Sequence, residues 1–494
     1  MKYIALTGAT GLLGSYLLAE LLAADIPVAA LVRSNRRENA RQRIESTVHI
    51  FERRLGRALP RPVVIESDLC QPLLGLDKDN VDWFCCHVDT MLHNAASLSF
   101  VAEKNGEPYR SNIDGTKNVL DLCRKTGISR FHHVSTAYVC GLRTGTIHES
   151  DFDAGQEFGN DYEKSKFASE KMVREASFIR SLTVFRPAII VGDSRTGYTP
   201  TYHGFYAPLK ILTPLVSPEY VSPETAEEFG QILGMKPGDQ KNYVPVDWIA
   251  EVMSHVVLHE RLHGSCYHLA PENCTRMDAM SRIMAEGIHK YKPVGKTIGG
   301  GQDLSALFQT FLEQMEVYKS YWRCDPVFDM SNTRNAAPHL PPPMVDEKML
   351  QLLIRFAIGA NFGWPLPKPV EIGFDASEHL RTHATTVLDT DCHFVAFTLR
   401  ITGLGGGDWT IRRNADQVRF ERGLAVENLP MMTMNSVVFE RFVNKKLPNP
   451  NDMAEYVSWE NGSINDRWAA LKILETLQSV HRTNSQQRHQ QIKR

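Results

Sequence analysis

Residues 2–7 form a short apolar run, and Gly8-Ala9-Thr10-Gly11-Leu12-Leu13-Gly14 follows at once. From Leu12 to Ala24 the apolar residues keep helical spacing without a proline, and Val28 to Val32 reads as a second strand. A glycine loop held between a strand and a helix leaves few folds open. Gly8 permits the tight turn, Gly11 lets the backbone approach a pyrophosphate, and Gly14 lets the helix pack against the strand. The helix N-terminus offers free N–H groups and partial positive charge to phosphates. Thr7, Thr10, Leu12 and Leu13 flank these glycines and join the expected dinucleotide site.

The alternation continues. Strands are expected over Val63–Glu66, Thr90–His93, Arg130–Ser135 and Leu182–Phe185, and helices over Glu38–Ala58, Asn105–Lys125 and Asp161–Ala176. Strand–helix alternation of this kind implies an α/β, doubly wound parallel sheet. Between about 190 and 275 prolines multiply, which suggests loops and short helices forming a small substrate-binding subdomain over the sheet's edge. Four regions are expected: 1–275, the dinucleotide-binding and substrate region; 276–370, a helical extension and Pro-rich linker; 371–480, a separate α+β domain; and 481–494, a flexible tail. The 494 residues carry 55 Lys+Arg against 57 Asp+Glu, so a nucleic-acid-coating protein is not expected. No apolar run approaches a bilayer span, and no signal peptide is visible. Nine scattered cysteines without a CxxC pair suggest reduced thiols in the cytoplasm. No metal site is expected, and oligomeric state is not legible.

The end of the second strand discriminates between nicotinamide cofactors. An acid there would bind a ribose 2′-OH, but the sequence is Val32-Arg33-Ser34-Asn35-Arg36-Arg37. Arginine holds a 2′-phosphate through charge-assisted bonds, which favours NADP(H), with Arg33 first, Arg36 and Arg37 after it, and Ser34 beside them. Asp68 and Leu69 follow the third strand and suit the adenine; Asn94, Ala95 and Ala96 follow the fourth and suit close passage of the cofactor. Ser135 and Thr136 end the fifth strand, and Tyr162 and Lys166 lie at i and i+4 on the next long helix. The ammonium is expected to depress the phenol pKa and to reach the nicotinamide ribose. A hydroxyl of Thr136 or Ser135 would be the second donor to a developing oxyanion.

TGATGLLG, HNAAS, NIDGTKNVL, VSTAYV, YEKSK and VPVDW together resemble the extended short-chain dehydrogenase/reductase superfamily. The segment Arg186-Pro187 through Gly192-Asp193-Ser194-Arg195-Thr196-Gly197 resembles its thioester reductase and fatty acyl-CoA reductase, or male sterility, branch. That resemblance implies an NADPH-dependent reduction of an acyl-CoA or a carrier-protein-bound acyl thioester to aldehyde or alcohol, on lipid-like substrates. Thr136 and Tyr162 would bind the thioester carbonyl, and Lys166 would tune Tyr162. Asn112 would support the active-site helix, and Pro187 and Ile190 would line the nicotinamide pocket. A dehydrogenase or epimerase of a sterol or nucleotide-sugar hydroxyl, and a lipid carrier with an NADPH-sensing domain, stay open. Residues 374–477 resemble a sterol-carrier-protein-2 (SCP2-like) domain, on the Gly-rich turn before Trp409 and on MTMNSVVF. That likeness implies helices over a five-stranded sheet and a site for a lipid or sterol.

Overall fold

The computed structural model describes residues 2–215, 236, 238–293, 304–382, 385–387, 395–414, 417–444, 446 and 456–474. The expected tail, 481–494, lies outside them.

The first half alternates as its apolar pattern requires: β1 (Tyr3–Thr7), α1 (Leu12–Ala23), β2 (Val28–Val32), α2 (Ala40–Leu55), β3 (Val63–Glu66), α3 (Lys78–His87), β4 (Val88–His93), α4 (Gly115–Thr126), β5 (Arg130–Val134), α5 (Asp161–Arg174) and β6 (Ser181–Pro187). Then come α6 (Ala207–Leu215), α7 (Val246–Leu258) and β7 (Cys266–Leu269). Seven strands pair in the order β7-β6-β5-β4-β1-β2-β3, all in parallel. Strand order reverses between β1 and β4, so a crevice opens at their C-terminal ends. Both faces are covered. One core cluster sets α1, α2 and α7 against the sheet, and a second sets α3 and α4 against its other face.

The element ends have local causes. Asn39 and Gln42 form a reciprocal cap that starts α2, and Gly56, at φ 65°, ends it. The helix is therefore shorter than Glu38–Ala58. Likewise α4 starts at Gly115, after an irregular π-helical turn over Arg110–Asp114. Gly106, at φ 93°, holds the preceding loop outside helical backbone, so the chain does not become helical at Asn105. The described part of residues 190–275 is more regular than expected: α7 has 13 residues, 10 of them buried, and β7 adds a seventh strand.

Beyond the sheet, α8 (Met277–Tyr291), α9 (Leu304–Met315) and α10 (Glu347–Gly359) build the substrate side. α8 and α10 pack closely; a Cβ on Gly287 would come within 2.5 Å of Ile354. The C-terminal unit holds α11 (Ala376–Thr382), β8 (Thr385–Val387), β9 (Val395–Thr402), β10 (Gly407–Asn414), β11 (Gln417–Arg422), β12 (Met431–Asn435), α12 (Ser436–Val443) and β13 (Ser458–Glu460), and residues 464–474 are helical. Its sheet has six strands, in the order β8-β11-β10-β9-β12-β13, with β9 and β12 parallel. Leu380, Phe397, Leu399, Trp409, Phe439 and Leu474 fill the space between sheet and helices. Among the described residues no helix is long and apolar enough to cross a membrane, none forms a metal-binding cluster, and the eight cysteines are free.

Candidate active site

A cavity of about 860 Å³ runs from the glycine loop, past α5, into the space under α8 and α9. Its first half has the form of a dinucleotide cradle. Gly8 sits at φ +70°, and a Cβ there would lie 2.8 Å from Ala95 Cα. A Cβ on Gly14 would lie 2.0 Å from Gly8 O, so loop and helix touch where only glycine fits. Gly11 caps α1 without a side-chain bond, which leaves the helix's first N–H groups for an anion. The cradle is braced from behind. Thr7 Oγ1 accepts from Asn94 N and Ala95 N, both at 3.0 Å, and lies 2.8 Å from His93 Nδ1. With both backbone donors engaged, the Thr7 hydroxyl proton goes to Nδ1. His93 Nε2 then donates to Thr116 Oγ1 at 3.1 Å, which donates to Asn112 O at 2.7 Å. Burial, and the Lys166 charge, push His93 down to about 3, so the imidazole is neutral.

All but five of the expected site residues line the cavity. The exceptions are Gly14, Ser34, Arg36, Arg37 and Asn112. Gly14 packs under the loop. Ser34 Oγ accepts from Ala40 N at 3.0 Å and so supports the start of α2. Arg36 and Arg37 are exposed and are not among the cavity-lining residues. Asn112 is buried beside α5: its Nδ2 donates to Ser165 Oγ at 2.9 Å and to Ser97 O at 3.1 Å, and its Oδ1 accepts from Ser97 N at 2.7 Å. Ser165 Oγ in turn donates to Tyr162 O at 2.8 Å, so Asn112 steadies the first turn of α5.

Two positively charged side chains stand at the ribose end. Arg33 is at the end of β2, 4.0 Å from Asp68. Arg43, which sequence reading passed over, reaches back from α2: its Nη2 donates to Thr10 Oγ1 at 2.6 Å and its Nη1 to Arg33 O at 2.5 Å. Its position eleven residues after Val32, on the long arginine-bearing helix expected over Glu38–Ala58, was the available signal.

At the centre, α5 is started by Asn160, whose side chain accepts from Glu163 N, and it presents Tyr162 and Lys166 one turn apart. Lys166 is buried and donates to Val134 O at 2.7 Å. Burial pushes its ammonium down to about 8. Tyr162 is pushed up to about 12 by burial, with the Thr136 hydroxyl pulling the other way. The depressed phenol that Lys166 was expected to produce is therefore not found: desolvation outweighs the ammonium, which is turned to the Val134 carbonyl. Thr136 and Ser135 lie beside them on the cavity wall. Behind α5, Glu170 pairs with Arg186 at 2.7 Å and with Arg174 at 2.8 Å, and these charges hold its carboxyl below the usual range.

Past Tyr162 the cavity becomes apolar. Phe100 meets Tyr162 edge-on at 5.9 Å, and Tyr318 and Tyr321 stand within 5.3 Å of Phe100. Met277, Met280, Met284 and Ile288, on one face of α8, form the far wall with Phe311 and Met315 of α9. Tyr138 and Lys241 line one side, held from behind by Asp325, which accepts from Tyr138 Oη at 2.7 Å and pairs with Lys241 at 2.9 Å. None of this apolar wall was singled out from sequence.

The Gly192–Gly197 motif is outside the cavity. Asp193 accepts from Tyr16 Oη at 3.0 Å and from Thr196 N at 2.8 Å and faces Arg54 at 3.6 Å, while Ser194 Oγ donates to Asp247 at 2.5 Å. It ties the end of the sheet to α1, α2 and α7.

Comparison with known proteins agrees with this architecture. An NAD-binding family described as male sterility protein matches residues 6–253. The chain is 28% identical over 284 residues to a linear gramicidin synthase of Brevibacillus parabrevis, covering 55% of this chain and 5% of that protein. It is 28% identical over 286 residues to the L-2-aminoadipate reductase of Penicillium chrysogenum, covering 52% of this chain and 18% of that protein's large chain. It thus spans a small part of these curated relatives. Among solved structures, the terminal R domain from the myxalamid PKS-NRPS biosynthetic pathway superposes with a TM-score of 0.58 at 25% identity, covering 75% of this chain and 93% of that domain. The match of half the chain, on the sheet and cradle described above, places it: the chain belongs to the NAD-binding male sterility protein family.

Proposed function

We propose that this protein is an NADPH-dependent reductase of apolar acyl thioesters. The observation that carries the reading is one continuous cavity with a dinucleotide cradle at one end, an apolar chamber at the other, and Tyr162, Lys166 and Thr136 where they meet. The bound nicotinamide would supply a hydride to the thioester carbonyl carbon. This chain's own groups do the rest. Tyr162 and Thr136 donate to the carbonyl oxygen as it gains negative charge, and two preorganised donors stabilise that oxyanion. Tyr162 keeps its proton at any physiological pH, so it acts as a neutral acid, and the Lys166 charge nearby favours the anion that proton transfer leaves. Arg33 and Arg43 offer a 2′-phosphate two guanidinium groups, which supports NADPH over NADH. The methionine wall suits a flexible hydrocarbon chain, because unbranched thioethers repack around varied shapes. The thioester would arrive on coenzyme A or on a carrier protein, with thiol and aldehyde as first products.

The test is NADPH oxidation by the purified protein against acyl-CoAs of rising chain length, with Tyr162→Phe beside it. Turnover should rise with chain length and fall about 10²-fold or more in the variant, with cofactor affinity unchanged. Oxidation of a nucleotide-sugar or sterol alcohol, with no thioester turned over, would replace this reading by the dehydrogenase one.

A further inference from the structure

Helix α2 has two working faces. One carries Arg43, which reaches Thr10 and the Arg33 carbonyl beside the cofactor cradle. The other is gripped by the C-terminal half of the chain. Glu45 is fully buried; it accepts from Arg61 Nε at 2.9 Å, faces Arg41 at 3.2 Å and accepts from Gly405 N at 3.3 Å. Arg41 faces Asp375 at 3.6 Å and donates to the Gly406 carbonyl. Ser46 Oγ accepts from Val370 N at 3.2 Å, and Arg37, in the loop before α2, donates to Pro367 O at 2.7 Å. Two separate stretches, 367–375 and 405–406, therefore hold the same short piece of the nucleotide fold. That piece carries both arginines of the ribose end. The loop 33–39 is tied to itself and to α2, through Asn35 Oδ1, which accepts from Arg37 N and Glu38 N, and through Ser34 Oγ, which accepts from Ala40 N, so its frame follows α2; the Arg33 side chain is 68% exposed. A loop so exposed is free to wander unless something fixes its frame. The buried Arg41–Glu45–Arg61 charges make the grip specific, since removing one partner leaves an uncompensated buried charge.

We infer that the C-terminal unit is a positioning element for the NADP(H) ribose-phosphate site: residues 367–375 and 405–406, docked on α2, set Arg33 and Arg43 and so couple domain docking to recognition of the 2′-phosphate. The inference rests on the NADPH reading above. It assigns the C-terminal unit a role in cofactor selectivity that needs no ligand in that unit. Coupling is reciprocal, so the phosphorylated dinucleotide also tightens the docking. NADH, which lacks the phosphate, gains nothing from it.

The test uses the full-length chain. Asp375→Ala and, independently, Arg41→Gln loosen the grip without touching Arg33, Arg43 or the catalytic groups. Equilibrium titrations should show NADPH affinity falling about fivefold or more, NADH affinity holding within about twofold, and kcat at saturating NADPH preserved. Asp375→Asn keeps an acceptor for Ser377 N, which Asp375 caps at 2.9 Å, and separates loss of the α11 cap from loss of the ion pair. Unchanged NADPH affinity, or equal weakening for both dinucleotides, would overturn the inference. If the variants do not fold, amide exchange across 367–375 in the unaltered protein decides. Slowing by NADP⁺ but not by NAD⁺ supports the coupling, and equal or absent slowing overturns it. Unaltered protein that binds NADH as tightly as NADPH would defeat the NADPH reading itself, a result distinct from either.

Discussion

Arg43 concentrates the cofactor question in one side chain. A charge-assisted bond contributes about 1.5–3 kcal/mol, so Arg43→Ala should weaken NADPH by about 10- to 100-fold and leave NADH nearly unaffected, as read by fluorescence titration. Equal loss for both dinucleotides would mean that Arg43 only holds the loop through Thr10 and Arg33. Lys166 gives a second test. Its ammonium, pushed down to about 8 by burial, is charged below that pH and neutral above it. Turnover at saturating cofactor should therefore fall as pH rises through about 8, while Tyr162, pushed up to about 12, stays protonated throughout. Lys166→Arg keeps its charge over that range and should lose the alkaline limb at a lower rate. A wild-type profile flat from pH 7 to 9.5 would exclude an essential ammonium.

At the scale of elements, legibility followed periodicity and special backbone. The strand–glycine–helix start of the sheet was plain, because three glycines with distinct steric duties cannot be replaced quietly. Gly14→Ala should show this: its Cβ would meet the Gly8 carbonyl at 2.0 Å, so the helix must shift, costing about 1–3 kcal/mol and most nucleotide affinity. Thermal unfolding with and without NADPH checks both. α7 was missed because the prolines and glycines around it, from Pro200 to Pro245, read as loop. Arg43 was missed because a helical arginine looks the same whether it meets water or a phosphate. The apolar chamber was illegible for a related reason: Met277, Met280 and Met284 have the spacing of any core-facing helix, and each is at most 8% exposed. Only the cavity they face marks them as a wall. Met284→Trp should fill part of it and shift the preferred acyl chain toward shorter lengths, read as kcat/KM across the acyl-CoA series. An unshifted series would place the chain elsewhere. The Gly192–Gly197 motif shows the converse: its residues brace the fold rather than line the cavity.

The whole molecule carries a pH dependence that follows from where its histidines lie. His93, His132 and His133 sit on central strands and His268 on the edge strand β7, all at 1% exposure or less, and burial pushes all four down. His93 falls to about 3 and His268 to about 4. In the unfolded chain each titrates near 6.5. Between those values the unfolded chain binds more protons, so lowering the pH through this window favours unfolding. Their stabilising neutrality is complete above about 6.5 and is lost progressively below it. By pH 5, His93 and His268 should each withdraw about 2 kcal/mol, a large part of a typical net stability of about 5–15 kcal/mol. Glu149 and Glu163 act in the opposite sense, since burial raises them and protonation then favours the folded state. Burial raises Glu20, Glu251 and Asp408 as well, and the four histidines carry the opposite slope between pH 6.5 and 5. Urea midpoints followed by tryptophan fluorescence should fall steadily across that interval, and His93→Gln should flatten the slope by about 2 kcal/mol once its own lower starting stability is subtracted. A midpoint constant from pH 7 to 5 would mean that these rings find protons and partners in the folded sheet, and the neutral His93 bridge between Thr7 and Thr116 would have to be abandoned with it.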